Sequence, residues 1–312
     1  MPTNLYNAVF LTLLAAFLLA AMWALVRHIG AVAPVGQVVF FRAAFAILPV
    51  LLIYAARREL YSAVHTRRPL GHVGRGLFAV AAMFLNFAAL ARLPLVDATA
   101  ISFTTPLLTV VLSALFLGEK VRIYRWSAVA VGLLGALVML WPHFETAHGA
   151  GQATTIDTAV TIGVICAAAA ALFNAGSVIQ TRRLTGTETT PSIVFYFSLV
   201  CAIAGLATLP FGWIWPSPMQ LAVLIGTGIL GGLGHILLTE SYRHAPQSVV
   251  APFNYTSMIW ALALGYFVFG EIPAPLVFVG AAIVAGAGLF VILRERRLGI
   301  REGQLPDDPS AV

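Results

Sequence analysis

The sequence predicts an all-α membrane protein of ten transmembrane helices, built as an inverted five-plus-five repeat. Three observations predict it. Hydrophobic residues make up 60% of the 312 and charged ones only 10%. Apolar runs of spanning length recur ten times. A pattern in the first half returns 152 residues later in the second.

A soluble domain carries roughly 25% charged residues, which cover its surface. This chain has too few, and a bilayer removes the need because lipid tails solvate apolar side chains. A spanning helix takes about 20 apolar residues. The segments that qualify are 6–26, 35–55, 73–91, 95–117, 122–141, 158–180, 191–213, 218–239, 247–269 and 273–293. Turn-forming or charged breaks separate them, such as RHIGAVAP, GEKVR, RRLTGTETTP, WPSP and GEIP. No Lys or Arg precedes the first run, so it reads as a retained span and not as a secretory signal.

Charge sets the expected orientation. With the N-terminus inside, 15 of the 18 Lys and Arg fall on the cytoplasmic side. Arg27 and Arg92 fall outside, and Arg42 lies within the second span. That bias follows the positive-inside rule and places both termini in the cytoplasm. The net charge of +6 is scattered between apolar runs, so no nucleic-acid partner is expected. Cys166 and Cys201 each sit inside an apolar run and read as small buried hydrophobes, with no disulfide or metal site.

The repeat is legible in register. Pro94 precedes Gly118-Glu119, and Pro246 precedes Gly270-Glu271 at the same offset. Phe103 then falls on Tyr255, and Leu112 on Leu264. A five-helix unit crosses the membrane an odd number of times, so its second copy enters upside down, as in many secondary transporters. The expected units are 1–141, a periplasmic linker at 142–157, 158–293 and a cytoplasmic tail at 294–312.

At FFR (40–42), LPLVDATAISFTTPLLTVVLSALFLGEKV (93–121) and YRHAPQSVVAPFNYTSMIWALALGYFVFGEIP (242–273) the chain resembles the drug/metabolite transporter superfamily, in its EamA-type branch. The resemblance covers about residues 6–293. It implies a bacterial inner-membrane location and a central cavity lined by helices 1, 3, 4, 6, 8 and 9, with helices 5 and 10 peripheral. It also implies transport of a vitamin, amino acid, S-adenosylmethionine, sugar or drug. No phosphate loop ending GK[ST] is present, nor HExxH, CxxC or GxSxG. Transport is therefore expected to need no ATP, and no cofactor or catalytic set is expected. A membrane-embedded enzyme or a non-transporting scaffold is the rival class.

Asn86, Asn174 and Asn254 lie inside spanning segments. In lipid an amide must find partners in protein or in a wet cavity. Each alone reads as a bond between helices; together they fit a polar cavity. Phe103 and Tyr255, as repeat partners, would add aromatic faces. The expected substrate-binding set is Asn86, Phe103, Asn174, Asn254 and Tyr255. A coupling or gating set is Arg42, His235 and Glu240. Arg42 lies about 10 Å into its helix, where it can snorkel outward or, by the resemblance, form a gating pair. Glu240 shares a helix face with Arg243 and His244, as an end-tying ion pair or as a coupling carboxylate. His235 reads equally as a packing residue or a ligand contact.

Asp97 reads as a helix cap. The Gly228/Gly232 pair, with Gly132, Gly286 and Gly288, reads as close helix packing. Few charges lack an evident partner, which favours a polar, uncharged ring compound such as riboflavin. An amino acid or S-adenosylmethionine is the alternative. The partners expected are a small-molecule substrate and the lipid bilayer. Direction, coupling ion and oligomeric state are not set by the sequence, and a homodimer stays open.

Overall fold

Apolar segments this long leave the backbone one way to satisfy its polar groups in lipid, which is helix. The computed structural model describes residues 5–56, 58, 60–117, 123–149, 155–185, 187–244, 253–254 and 256–297, and its regular structure there is helical throughout. The first half comprises α1 (Leu5–Gly30), α2 (Val35–Ala56), the short α3 (Leu60–Val64), α4 (Pro69–Leu90), α5 (Leu95–Ser102), α6 (Thr105–Leu117) and α7 (Ile123–Gly149). The second comprises α8 (Thr155–Thr185), α9 (Thr190–Leu206), α10 (Pro218–His244), α11 (Thr256–Phe269) and α12 (Pro275–Arg297). Among the described residues six helical stretches are long and apolar enough to cross a bilayer: Tyr6–Gly30, Val35–Ala56, Pro69–Leu90, Leu95–Phe116, Thr158–Thr181 and Pro218–Ser241. Four shorter apolar helices accompany them, at Trp126–Val138, Pro191–Leu206, Thr256–Phe269 and Pro275–Val291.

Three segments differ from the sequence expectation. The fourth is broken at Phe103–Thr104, where the N–H groups of both residues bond carbonyls three residues back. Pro106 explains the break: it has no N–H for the Ser102 carbonyl and disfavours helix at the residue before it. The seventh ends at Leu206, followed by a 3-10 turn at Leu209–Phe211 around Pro210 and by Gly212 at φ 92°. The expected linker at 142–157 is helical through Gly149 and again from Thr155, because polar residues mark the edge of the membrane without ending a helix. Residues 247–252 of the ninth segment lie outside the described residues.

The packing repeats with the halves exchanged. α1 lies on α10 as α8 lies on α4; α2 touches α10 as α9 touches α4; α1 meets α11 as α8 meets α6. α2 pairs with α9, and α7 with α12, each with its own counterpart. This reciprocity is what a pseudo-two-fold axis between inverted halves produces. Small residues permit the closest crossings. A Cβ on Gly228 would stand 2.4 Å from that of Phe45, and one on Gly232 would stand 3.0 Å from the Ala46 carbonyl oxygen, so α10 meets α2 backbone to backbone. Gly286, expected in such a contact, faces open space. Met22, Ile29, Leu90, Leu93, Leu95 and Leu224 are sealed in the centre. Leu52, Leu77, Phe116 and Phe267 stand exposed around the outside, as a lipid-facing surface requires.

Candidate functional site

A cavity of about 220 Å³ opens where the fourth segment breaks. Its walls come from α1, α5, α10, the Phe103 turn and residues 254 and 257. On α1, Ala16, Ala20 and Trp23 share a stripe at i, i+4 and i+7, so two small residues leave room beside the indole. Across from them stand Thr99, Ser102 and Phe103. The hydroxyls are committed as donors: Thr99 to the Leu95 carbonyl at 2.7 Å, Ser102 to Thr99 at 2.6 Å, and Ser257 to Asn254 at 2.7 Å. Their oxygens still accept. The Asn254 carboxamide has no hydrogen bond to a described residue and lines the cavity half-buried. It is the group there with both donors and acceptor to offer a solute.

The repeat shows in the backbone of the site. Thr104 donates its hydroxyl to the Ile101 carbonyl at 2.7 Å, and Thr256 donates to Phe253 at 2.6 Å, each residue 152 positions from its counterpart. Of the substrate-binding residues expected from sequence, Phe103 and Asn254 therefore meet in one cavity. Tyr255 lies outside the described residues. Asn86 and Asn174 are half-buried on α4 and α8, which pack together, and neither lines this cavity. Helices 3 and 6, expected among its walls, contribute no wall residue. Trp23, Ser102 and Ser257 do, and the sequence reading omitted them. The i, i+4, i+7 spacing from Ala16 to Trp23 was the available signal.

The gating candidates are placed differently from the expectation. Arg42 does not snorkel. It is 4% exposed, its guanidinium lies 5.8 Å from the centre of the Phe197 ring, and a Cβ on Gly231 would touch its Nε at 3.4 Å. The close crossing of α2 and α10 explains this, since Gly231 leaves space toward the interior. His235 and Glu240 line a second, narrower cavity of about 30 Å³ with Tyr54 and Pro191.

Two ion clusters tie the halves together, one at each end. At the arginine-poor end Glu271 forms an ion pair with Arg27 and accepts the Leu95 N–H at 2.8 Å. Arg27 also donates to the carbonyls of Leu90 and Leu93 and stands 5.5 Å from the Phe269 ring centre. Glu271 thus takes the cap position expected of Asp97. Asp97 is buried within the first turn of α5, and Arg92 donates to its own helix at Ala88. At the arginine-rich end Glu188 accepts the backbone N–H groups of Arg67 and Arg68 at 2.8 and 2.7 Å and the Thr66 hydroxyl at 3.1 Å. His72 lies 3.5 Å away. Burial pushes the Glu188 carboxyl up, but these backbone and side-chain donors outweigh it and hold the group below its ordinary range. A carboxyl lowered on folding contributes stability above its unfolded pKa and loses it as pH falls through the folded one. The melting-temperature gap between wild type and Glu188→Gln is expected to be constant down to about pH 5 and to close in stronger acid. A gap that widens on acidification would contradict this.

A two-repeat helical bundle around a largely apolar cavity with a few polar groups is the architecture of a membrane carrier for small molecules. The chain belongs to the EamA-like transporter family, which matches residues 6–141 and 161–294. It is similar to the pseudopaline exporter CntI of Pseudomonas aeruginosa, 29% identical over 288 residues that cover 91% of this chain and 95% of the exporter. It is similar to the S-adenosylmethionine uptake transporter of Rickettsia conorii, 29% identical over 84% of each chain. It also resembles the riboflavin transporter of Rhizobium johnstonii, 31% identical over 76% of this chain and 74% of that one. A solved crystal structure superposes with a TM-score of 0.63, covering 94% of this chain and 99% of its own, at 20% identity. That likeness shows the fold alone. The protein is a multi-pass membrane transporter of small molecules.

Proposed function

We propose that the chain is a secondary carrier of a small metabolite with a flat ring, working without ATP. Ten spans would rock as two inverted halves, 1–141 and 158–293, about the cavity at the Phe103 break. The observation that carries this reading is the Asn254 carboxamide, which has no hydrogen bond to a described residue and lines one cavity with Phe103 and Trp23. The rings would stack on the solute and the amide would orient its polar edge. At about 220 Å³ the cavity is somewhat smaller than the roughly 300–1,000 Å³ of most ligand pockets. Riboflavin and S-adenosylmethionine, which relatives carry by name, both contain a ring of this kind. The arginine bias supports a bacterial inner membrane with both termini in the cytoplasm. The arginine-poor end, with Glu271, would then face the periplasm.

The test is flux in sealed proteoliposomes with labelled riboflavin and, separately, labelled S-adenosylmethionine, without nucleotide. Protein-dependent uptake of either, driven by its own gradient or by a proton gradient, is expected. Uptake that strictly requires ATP, or chemical conversion of the solute, would replace the carrier reading with that of a pump component or an enzyme.

A further inference from the structure

In the sequence few charges lack an evident partner, but among the described residues the interior holds two arginines with no carboxylate partner. Arg42 lies seven residues after Val35, the start of α2, yet its guanidinium packs over Gly231, thirteen residues after Pro218 on α10. The side chain therefore runs inward, away from the nearer surface. Arg75 enters from the opposite end, six residues after Pro69 on α4. The two converge on one ring, at 5.8 and 5.0 Å from the centre of Phe197. Cys201 lies one turn further along α9 and is buried.

Among the described residues no carboxylate pairs with either guanidinium. Arg75 donates its Nε to Thr181 at 2.6 Å and Nη1 to the Ile193 carbonyl at 2.8 Å, which leaves its Nη2 unassigned. Arg42 is buried and makes no hydrogen bond to a described residue, so its five donors are unmatched among those residues. Two cations on one ring at these distances stand no more than about 11 Å apart and repel by at least about 1.5 kcal/mol at an effective dielectric of 20, and an isolated charge within a membrane protein is costly. Phe197 supplies only a weak cation–π contact to each. The arrangement lacks an anion.

We propose that Arg42 and Arg75 form a carboxylate-binding station for the transported solute. The proposal rests on the carrier reading above and narrows its substrate class to metabolites bearing a carboxylate beside their flat part. The link to the ring cavity is α10. Gly231, His235 and Leu238 recur at i, i+4 and i+7, so they form one stripe. Gly231 carries the Arg42 contact, His235 lines the narrower cavity, and Leu238 is a wall of the Phe103 cavity. From Gly231 to Leu238 the rise is about 10 Å, a distance a small amphiphilic metabolite can bridge. Planar guanidinium forks match a carboxylate bidentately, which an ammonium does not.

The experiment uses the full-length protein in detergent and two probes of equal shape, benzoate and benzamide. Benzoate is expected to raise the melting temperature saturably, by roughly 3 °C at ten times its dissociation constant, while benzamide does not. Arg42→Met and Arg75→Met are each expected to abolish the benzoate response. Arg42→Lys should retain a weakened one. Because Arg42 has no carboxylate or hydrogen-bond partner among the described residues, Arg42→Met without ligand should melt no lower than wild type; a purely structural arginine would leave it lower. Equal shifts with both probes, or a wild-type benzoate response in Arg42→Met, would overturn the station. The carrier reading is scored separately by the flux assay, so loss of one does not remove the other.

Discussion

Replacing Glu271 by Ala is expected to destabilise the protein by about 3–5 kcal/mol, the largest stability effect in the molecule outside the apolar core. The Glu271 side chain is 11% exposed and that of Arg27 22%, so the pair is largely withdrawn from water. Removing the acid leaves Arg27 with carbonyl partners only and takes from Leu95 the acceptor of its N–H at the start of α5. Arg27→Met should cost a similar amount by the mirror argument. The double variant Arg27→Met/Glu271→Leu should recover much of the loss, because apolar groups of similar volume often replace a buried pair at little cost. Thermal unfolding of wild type, Arg27→Met, Glu271→Leu and the double variant in one detergent measures the cycle. A coupling energy indistinguishable from zero would mean that the pair does not hold the halves together at this end.

The second large effect concerns transport. Asn254→Leu is expected to weaken apparent solute affinity roughly tenfold, about 1.4 kcal/mol, with little change in melting temperature. Leu matches the volume and loses the hydrogen bonds, and no described residue depends on that amide for its own. Phe103→Ala should weaken affinity as well, but it also removes a ring packed against the apolar cluster of α5, α7 and α12, so its melting temperature should fall. The two variants therefore separate a solute contact from a packing role. If Asn254→Leu lowered stability and left the affinity of the surviving protein unaltered, the amide would be a helix bridge.

The helices were legible because the bilayer makes one demand of every span, a run of apolar residues, and that demand is local. The repeat was legible because Pro94, Gly118 and Glu119 recur in register as Pro246, Gly270 and Glu271. The contacts were less so. Glu271 was visible as a motif residue, but its partner Arg27 is distant in sequence, and only the packing of α1 against α11 brings them together. The direction of Arg42 depended on whether space existed inside, which Gly231 provides and which the composition of α2 alone does not reveal. The amides illustrate the same limit. Polarity in a span announces that a partner is needed and leaves its place unstated. Asn254 reached a cavity, while Asn86 on α4 and Asn174 on α8 are half-buried and do not line it. The break at Phe103 was foreseeable from Pro106, since a proline inside an apolar run withdraws one N–H from the helix.

If solute passes through the cavity bounded by α1, the Phe103 break and α11, a thiol placed in its wall must be reachable from both sides of the membrane. Ser257→Cys, in protein with Cys166 and Cys201 replaced, is reconstituted in sealed vesicles of known orientation. It is treated with an impermeant thiol reagent from each face in turn while the flux of labelled riboflavin or S-adenosylmethionine is followed. The account predicts that the cysteine reacts from both faces, because the cavity opens to each in turn, and that flux stops in proportion to the fraction labelled. Reaction from one face only, or undiminished flux through fully labelled protein, would contradict it.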